Sequence, residues 1–206
     1  MRTPDPALQD RRRREILEAA AKCFVRYGFH QTTMDQICAA AGLSPGAVYR
    51  YFTSKHAIIE SIANQERTEI ADFFKRLHDA PDFVDGLVAL TEKFVFAAVK
   101  SDDARLGIEI MAEASRNPDV SRLIARHGKE AKKLFVQILR KARARGDIDS
   151  SLKPEPVAEL LLALIEGIMG RASFSPRYDG RSLTRSFAIL VARFLRPPAV
   201  AKRHSR

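Results

Sequence analysis

Apolar residues recur along this chain at helical rather than alternating spacing. Ile16, Ala20, Phe24 and Tyr27 fall at i, i+4, i+8 and i+11, which predicts a helix over about 11–27 that Gly28 stops. Thr33 then precedes Met34-Asp35-Gln36, a capping box with Gln36 three residues after the cap. That helix runs through Ala41, and Gly42 closes it. Ser44 is a good N-cap and Pro45 sits at the first helical position, where proline is favoured, so another helix follows to about Phe52. Ser54 caps a fourth helix of about 55–79. This one changes character midway. Ile58, Ile59 and Ile62 are apolar, the stretch ANQERTE is polar, and Ile70, Phe73, Phe74 and Leu77 are apolar again. The pattern reads as one rigid helix whose two ends pack against different cores.

Pro81 breaks the chain, and helices are predicted over about 83–99, 103–116, 119–145, 155–172 and 181–195. Their punctuation is Ser101-Asp102, Asn117-Pro118, Gly146-Asp147, Pro154 and Pro156, the loop 175–180, and Pro197-Pro198. Strand signals are almost absent. The expected fold is all-α, with about nine helices in two domains. A DNA-binding domain would span 10–70, with a helix-turn-helix at 33–52. A second domain would span 71–196, before a disordered basic tail at 197–206.

The short helices at 33–52 call for an explanation, because short helices bury little surface. Two helices joined by a tight Gly-containing turn and supported by a preceding helix form a helix-turn-helix. Its second helix is short because it enters a DNA major groove. Ile37, Ala40, Leu43, Val48 and Phe52 can face inward and hold the interhelix angle, while Pro45, Gly46, Tyr49 and Arg50 share the outer face. Thr33 and Ser44 stand at helix N-termini, which attract phosphate. Tyr49 and Tyr51 can donate hydroxyl hydrogen bonds to phosphates, and Lys55 supplies a flanking charge. Arg50 is the one side chain here able to contact guanine in bidentate fashion. Pro45, Gly46 and Ala47 offer close approach and methyl contacts, so DNA shape and phosphate positioning carry much of the specificity. A plain three-helix corner with tyrosines at its rim is the competing reading. Against it, the cap, turn, aromatic cluster and flanking lysine all occur in register.

Composition changes the picture in one respect. With 35 Lys/Arg against 25 Asp/Glu the net charge is +10, which points to an anionic partner such as nucleic acid. The surplus is greatest in residues 171–206, where nine basic residues face one acid, and not in the helix-turn-helix. Two cysteines, Cys23 and Cys38, and a start without an apolar run point to a cytoplasmic protein. The apolar run Val157–Met169 is interrupted by Glu159 and Glu166, too short and too charged to span a bilayer.

The segment from about 10 to 70 resembles the N-terminal domain of TetR-family transcriptional regulators. The resemblance is carried by ILEAAAKCFVRYGFHQTTMDQICAAAGLSPGAVYRYFTSKHAII, with its Gly28-Phe29 turn, threonine pair, AAGLS, VYRYF and Ser54-Lys55. It implies a homodimeric, ligand-responsive repressor. By that likeness phosphate contacts carry over to Thr33, Tyr49, Tyr51 and Lys55, and groove-facing positions to Ser44, Pro45, Gly46 and Arg50. Many members have lysine where this chain has Pro45.

The resemblance is weaker beyond residue 80. It implies a dimer interface on the last two long helices, with Leu160, Leu161, Leu164, Gly167, Ile168 and Gly170 on one and Leu183, Phe187, Leu190, Val191 and Phe194 on the other. An intramolecular core would use the same faces. An effector pocket is likewise implied by family; Phe73, Phe94, Met111, Glu113, Phe135 and Met169 are candidate lining residues, and each also fits a plain core or surface position. The helix around 122–145 carries a basic face that reads as solvated. No catalytic constellation, metal-spaced His/Cys set or cofactor loop is present, so neither an enzyme nor a cofactor is expected. The reading is a DNA-binding transcriptional regulator, a repressor released from a palindromic operator by a small molecule. A low-specificity architectural DNA-binding protein, or a helical ligand-binding protein or enzyme without DNA binding, are the alternatives.

Overall fold

A computed structural model describes residues 6–100, 103–174 and 180–196. The loop at 175–179 and the basic tail at 197–206 lie outside the described residues. The described chain forms α1 (Pro6–Tyr27), α2 (Met34–Ala41), α3 (Pro45–Tyr49), α4 (Lys55–His78), α5 (Phe83–Lys100), α6 (Asp103–Ala114), α7 (Pro118–Arg145), α8 (Pro154–Phe174) and α9 (Gly180–Leu195). No strand occurs among these residues, so the fold is all-α. α1 begins earlier than its apolar spacing predicts. Pro6 opens it and the polar run QDRRRR continues it without an apolar stripe that periodicity could reveal. α3 ends earlier than predicted, at Tyr49, and a tight turn with Tyr51 N donating to Val48 O at 2.9 Å completes it.

The helix boundaries follow from local chemistry. Thr33 Oγ1 accepts from Gln36 N at 3.2 Å while Gln36 Oε1 accepts from Thr33 N at 2.8 Å, a closed capping box. Gly42 ends α2 in the left-handed region at φ +64°, where a side chain would be strained. Asn117 Oδ1 accepts from Asp119 N and Val120 N and starts α7.

The chain divides into two compact units. The first comprises residues 1–69 and 102–127, the second 70–101 and 128–206. α4 and α7 each contribute residues to both. In the first unit α1 packs on α2 and α6. Its core gathers Ile16, Phe24, Phe29, Ile37, Val48, Phe52, Ile58, Ile59 and Ile110. Val48 and Phe52 face inward as the helix-turn-helix reading requires, at 0% and 2% exposure. Ala40 does not; it is exposed, and α2 instead turns Ile37, Cys38 and Ala41 toward the core. Those three lie one and four positions apart, so Ala40, three on from Ile37, falls beyond the edge of the narrow buried stripe.

In the second unit α5 packs against α8 and α9. An aromatic chain runs through its core: Phe94 to Phe73 at 6.0 Å, Phe73 to Phe74 at 5.6 Å, Phe74 to Phe135 at 5.1 Å and Phe135 to Phe83 at 6.3 Å between ring centroids. Backbone approach is closest at Gly86, where an added Cβ would lie 2.6 Å from the Ala80 Cβ.

Candidate nucleic-acid interface

α3 is held from behind and bare in front. Val48 anchors it, while Ser44, Pro45, Gly46, Tyr49 and Arg50 are exposed. Ser44 Oγ accepts from Ala47 N at 3.4 Å and caps the helix. The side chains of Tyr49 and Arg50 make no hydrogen bond or ion pair among the described residues. Tyr51 is half-buried and packs against the core. Thr33 is exposed at the start of α2. Its neighbour Thr32 is buried and donates to Gly28 O at 2.8 Å, so the two threonines divide the labour between solvent and core.

Lys55 is more engaged than the sequence suggests. Its Nζ donates to Phe29 O at 2.6 Å and His30 O at 3.1 Å and lies 4.6 Å from the Phe29 ring centroid. Two of its three N–H groups thus hold the turn that follows α1, leaving one for an anion. Burial pushes its pKa down, and Glu113 opposes that shift.

The same turn is held from α6. Glu109 Oε2 accepts from Phe29 N at 3.2 Å. Glu113, only 3% exposed, accepts from Asn117 Nδ2 at 3.0 Å through Oε1. His30 Nε2 lies 3.2 Å from Glu113 Oε2 and His56 Nε2 lies 3.6 Å from Oε1. The His30 approach is near but poorly directed, so Oε2 accepts no well-aligned hydrogen bond. Two exposed imidazoles therefore cover a buried carboxylate at the point where α1, α4 and α6 meet. Sequence periodicity does not reveal this cluster: both histidines are surface residues, and Glu113 reaches them across a long sequence separation.

The other sequence-predicted residues separate. Phe73, Phe135 and Met169 belong to the core of the second unit, with Phe135 fully buried, and the half-buried Phe94 meets it through the Phe73 ring. Met111 and Glu113 belong to the first unit, and Met111 is 59% exposed. Thr91, in the second unit, is buried with its hydroxyl unpartnered. Of the apolar residues on α8 and α9, Leu161, Ile168, Phe187 and Val191 are buried in their own chain's core, and Leu164 is partly buried against it. Leu160, Gly167, Leu190 and Phe194 are exposed, and Ile189, which the sequence pattern does not single out, joins them at 55% exposure. Ser186, Ile189, Leu190, Arg193 and Phe194 line a surface groove of about 510 Å³ on α9.

No group of three or more His, Cys, Asp or Glu residues among those described has the arrangement of a metal site. No described helix is long and apolar enough to cross a membrane.

Comparison with known proteins agrees with this geometry. Residues 16–62 match the family model described as bacterial regulatory proteins, tetR family. Residues 84–196 match that of the C-terminal domain of BetI-type transcriptional repressors. The HTH-type transcriptional regulator UidR of Escherichia coli is 32% identical over 158 residues, covering 76% of this chain and 79% of the relative. The structure of Salmonella enterica GusR superimposes with a TM-score of 0.76 at 31% identity, over 89% of this chain and 95% of that one. A TetR-family regulator from Mesorhizobium loti gives a TM-score of 0.72 at 28% identity, over 90% and 95%. With both halves matched by family models and the helix-turn-helix in place, the chain belongs to the TetR family and is a DNA-binding transcriptional regulator.

Proposed function

We propose that the protein acts as a homodimeric repressor on a palindromic operator and leaves it when a small-molecule effector binds. The observation that carries the DNA half of this reading is the outer face of α3: Tyr49 and Arg50 are exposed and unpaired among the described residues, on a helix anchored by the fully buried Val48. Arg50 is the base-reading group, and Thr33, Tyr49, Tyr51 and the remaining N–H of Lys55 are phosphate contacts.

The apolar face formed by Leu160 and Gly167 on α8 and by Ile189, Leu190 and Phe194 on α9 supports pairing with a second copy. A two-fold axis there would place the two α3 helices about 34–36 Å apart, one turn of DNA. The effector would be held in the second unit, whose core brings together the candidate residues Phe73, Phe135 and Met169, with Phe94 against the Phe73 ring. Bound ligand would favour a dimer geometry in which the two α3 helices no longer match successive grooves. α4 and α7 supply residues to both units and are the covalent routes for that change.

The test is selection of bound fragments from the source genome, combined with the mass of the protein in solution. Enrichment of one inverted repeat by a dimer is expected. A monomer, or equal affinity for arbitrary duplexes at moderate salt, would refute the reading.

A further inference from the structure

Four consecutive arginines, 11–14, stand near the start of α1. Their environments differ. Arg11 Nε and Arg12 Nη1 both reach the Glu15 carboxylate, at 3.8 and 2.7 Å. Arg13 and Arg14 have no carboxylate partner among the described residues. Arg13 is nevertheless held in place: its guanidinium carbon lies 4.5 Å from the Phe52 ring centroid, and Nη2 donates to Ser61 Oγ at 2.8 Å. Phe52 is the residue that anchors the chain just past α3. The Arg13 charge is therefore held against Phe52, in the turn that follows α3.

Arg13 and Arg14 line a groove of about 580 Å³ with Asp10 and Leu17 of α1 and Ser61, Asn64, Gln65 and Thr68 of α4. Asp10 is the one acid in that lining, and it pairs with neither arginine. The two guanidiniums favour an anionic partner rich in hydrogen-bond acceptors for this groove. Four neutral side chains with donors and two uncompensated guanidiniums offer little to an apolar or cationic molecule. The sugar–phosphate backbone of the duplex that α3 reads has that chemistry, and Tyr51, one of its proposed contacts, directly precedes the Phe52 against which Arg13 lies.

We propose that Arg13 and Arg14 grip DNA phosphates beside the reading helix, extending the interface onto α1. Such contacts set register and affinity and carry no base sequence. The inference rests on the DNA-binding reading of α3.

The test is the salt dependence of binding to a mixed-sequence duplex, measured for the wild type, Arg14→Ala, Arg13→Ala/Arg14→Ala and Arg11→Ala/Arg12→Ala. Removing one phosphate-binding cation lowers the slope of log K against log salt by about 0.9. The Arg13/Arg14 double variant should lower it by about 1.8 per protomer, and Arg14→Ala by about half of that. The Arg11/Arg12 variant removes the same formal charge from side chains already engaged by Glu15, and its slope should move much less. Arg14→Ala leaves the Arg13–Phe52 contact intact, so it reports on DNA binding even if the double variant loosens the fold. An unchanged slope in Arg14→Ala and in the double variant overturns the proposal. So does an equal drop in both double variants, which would reduce the effect to net charge. A wild type that binds no duplex at any salt fails differently, because it removes the α3 reading along with this one.

Discussion

Glu113 allows a worked prediction, because its contacts pull in opposite directions. Replacing it with alanine removes the hydrogen bond from Asn117 Nδ2 to a charged acceptor, worth about 1.5–3 kcal/mol. It also removes one buried methylene, Cγ, worth about 0.8 kcal/mol. Against this, the carboxylate is buried with Oε2 lacking a well-aligned donor, a cost of about 1–3 kcal/mol that alanine relieves. The histidine contacts add little, since the side chains of His30 and His56 are 63% and 54% exposed and rehydrate freely. The net expectation for Glu113→Ala is a loss of about 1 kcal/mol. Glu113→Gln keeps the methylenes and an oxygen for Asn117, removes the buried charge, and places an N–H where the His30 ring nitrogen can accept it. It should match or exceed the wild type. Urea denaturation of all three proteins at one fixed protein concentration measures the difference, with concentration held constant because a dimer's stability depends on it. Equal stability of the Ala and Gln variants would show that the Asn117 bond and the Cγ methylene contribute nothing measurable, and the assignment of forces at this site would be wrong.

Glu66 has its pKa raised to about 7, by burial first and then by Glu69 and Asp103. The folded state thus holds this proton more tightly than the unfolded chain. The associated stability is fully present below about pH 4.5 and is lost as pH rises through about 7, a difference of up to about 3 kcal/mol. Thermal melts of Glu66→Gln should therefore gain on the wild type at pH 8 and coincide with it at pH 4.5; parallel curves would exclude the linkage. Gly86→Ala gains about 1 kcal/mol of helix propensity but forces a Cβ against that of Ala80, an overpacking cost of about 1–3 kcal/mol. A lower melting temperature that Ala80→Gly restores is expected, and a higher one would refute the close approach. Arg50→Ala should relax base preference at one position per half-site by about 1–3 kcal/mol, read from binding to operator variants. Unchanged preference would remove Arg50 as a direct reader.

Much of the DNA-reading surface is legible in the chain because it is local. The capping box at Thr33, the turn at Gly42 and the N-cap at Ser44 each use residues within a few positions of one another. Hydrogen-bond geometry over such distances is set by residue type and spacing. The helical periods of the longer elements are legible for the same reason. Periodicity starts α1 too late because its first turns carry no apolar stripe, and it extends α3 too far because Phe52 is buried from a turn rather than from a helix.

What the chain alone determined, then, is a set of helices, their ends and the bare outer face of one of them. Tertiary structure decided which partners those helices serve. An apolar stripe on α8 or α9 records that a face must leave water, not whose surface covers it; only packing separated Leu161 and Val191, buried by their own chain, from Leu190 and Phe194, left exposed. Lys55 reads from the sequence as a cation flanking the helix-turn-helix, yet its engagement with the carbonyls of Phe29 and His30 depends on a turn 25 residues away. Glu113 meets His30 and His56 only once α6 has docked on α1 and α4. Local hydrogen bonds are written in spacing, whereas contacts between distant segments depend on how whole helix faces fit together, which no short window of residues contains.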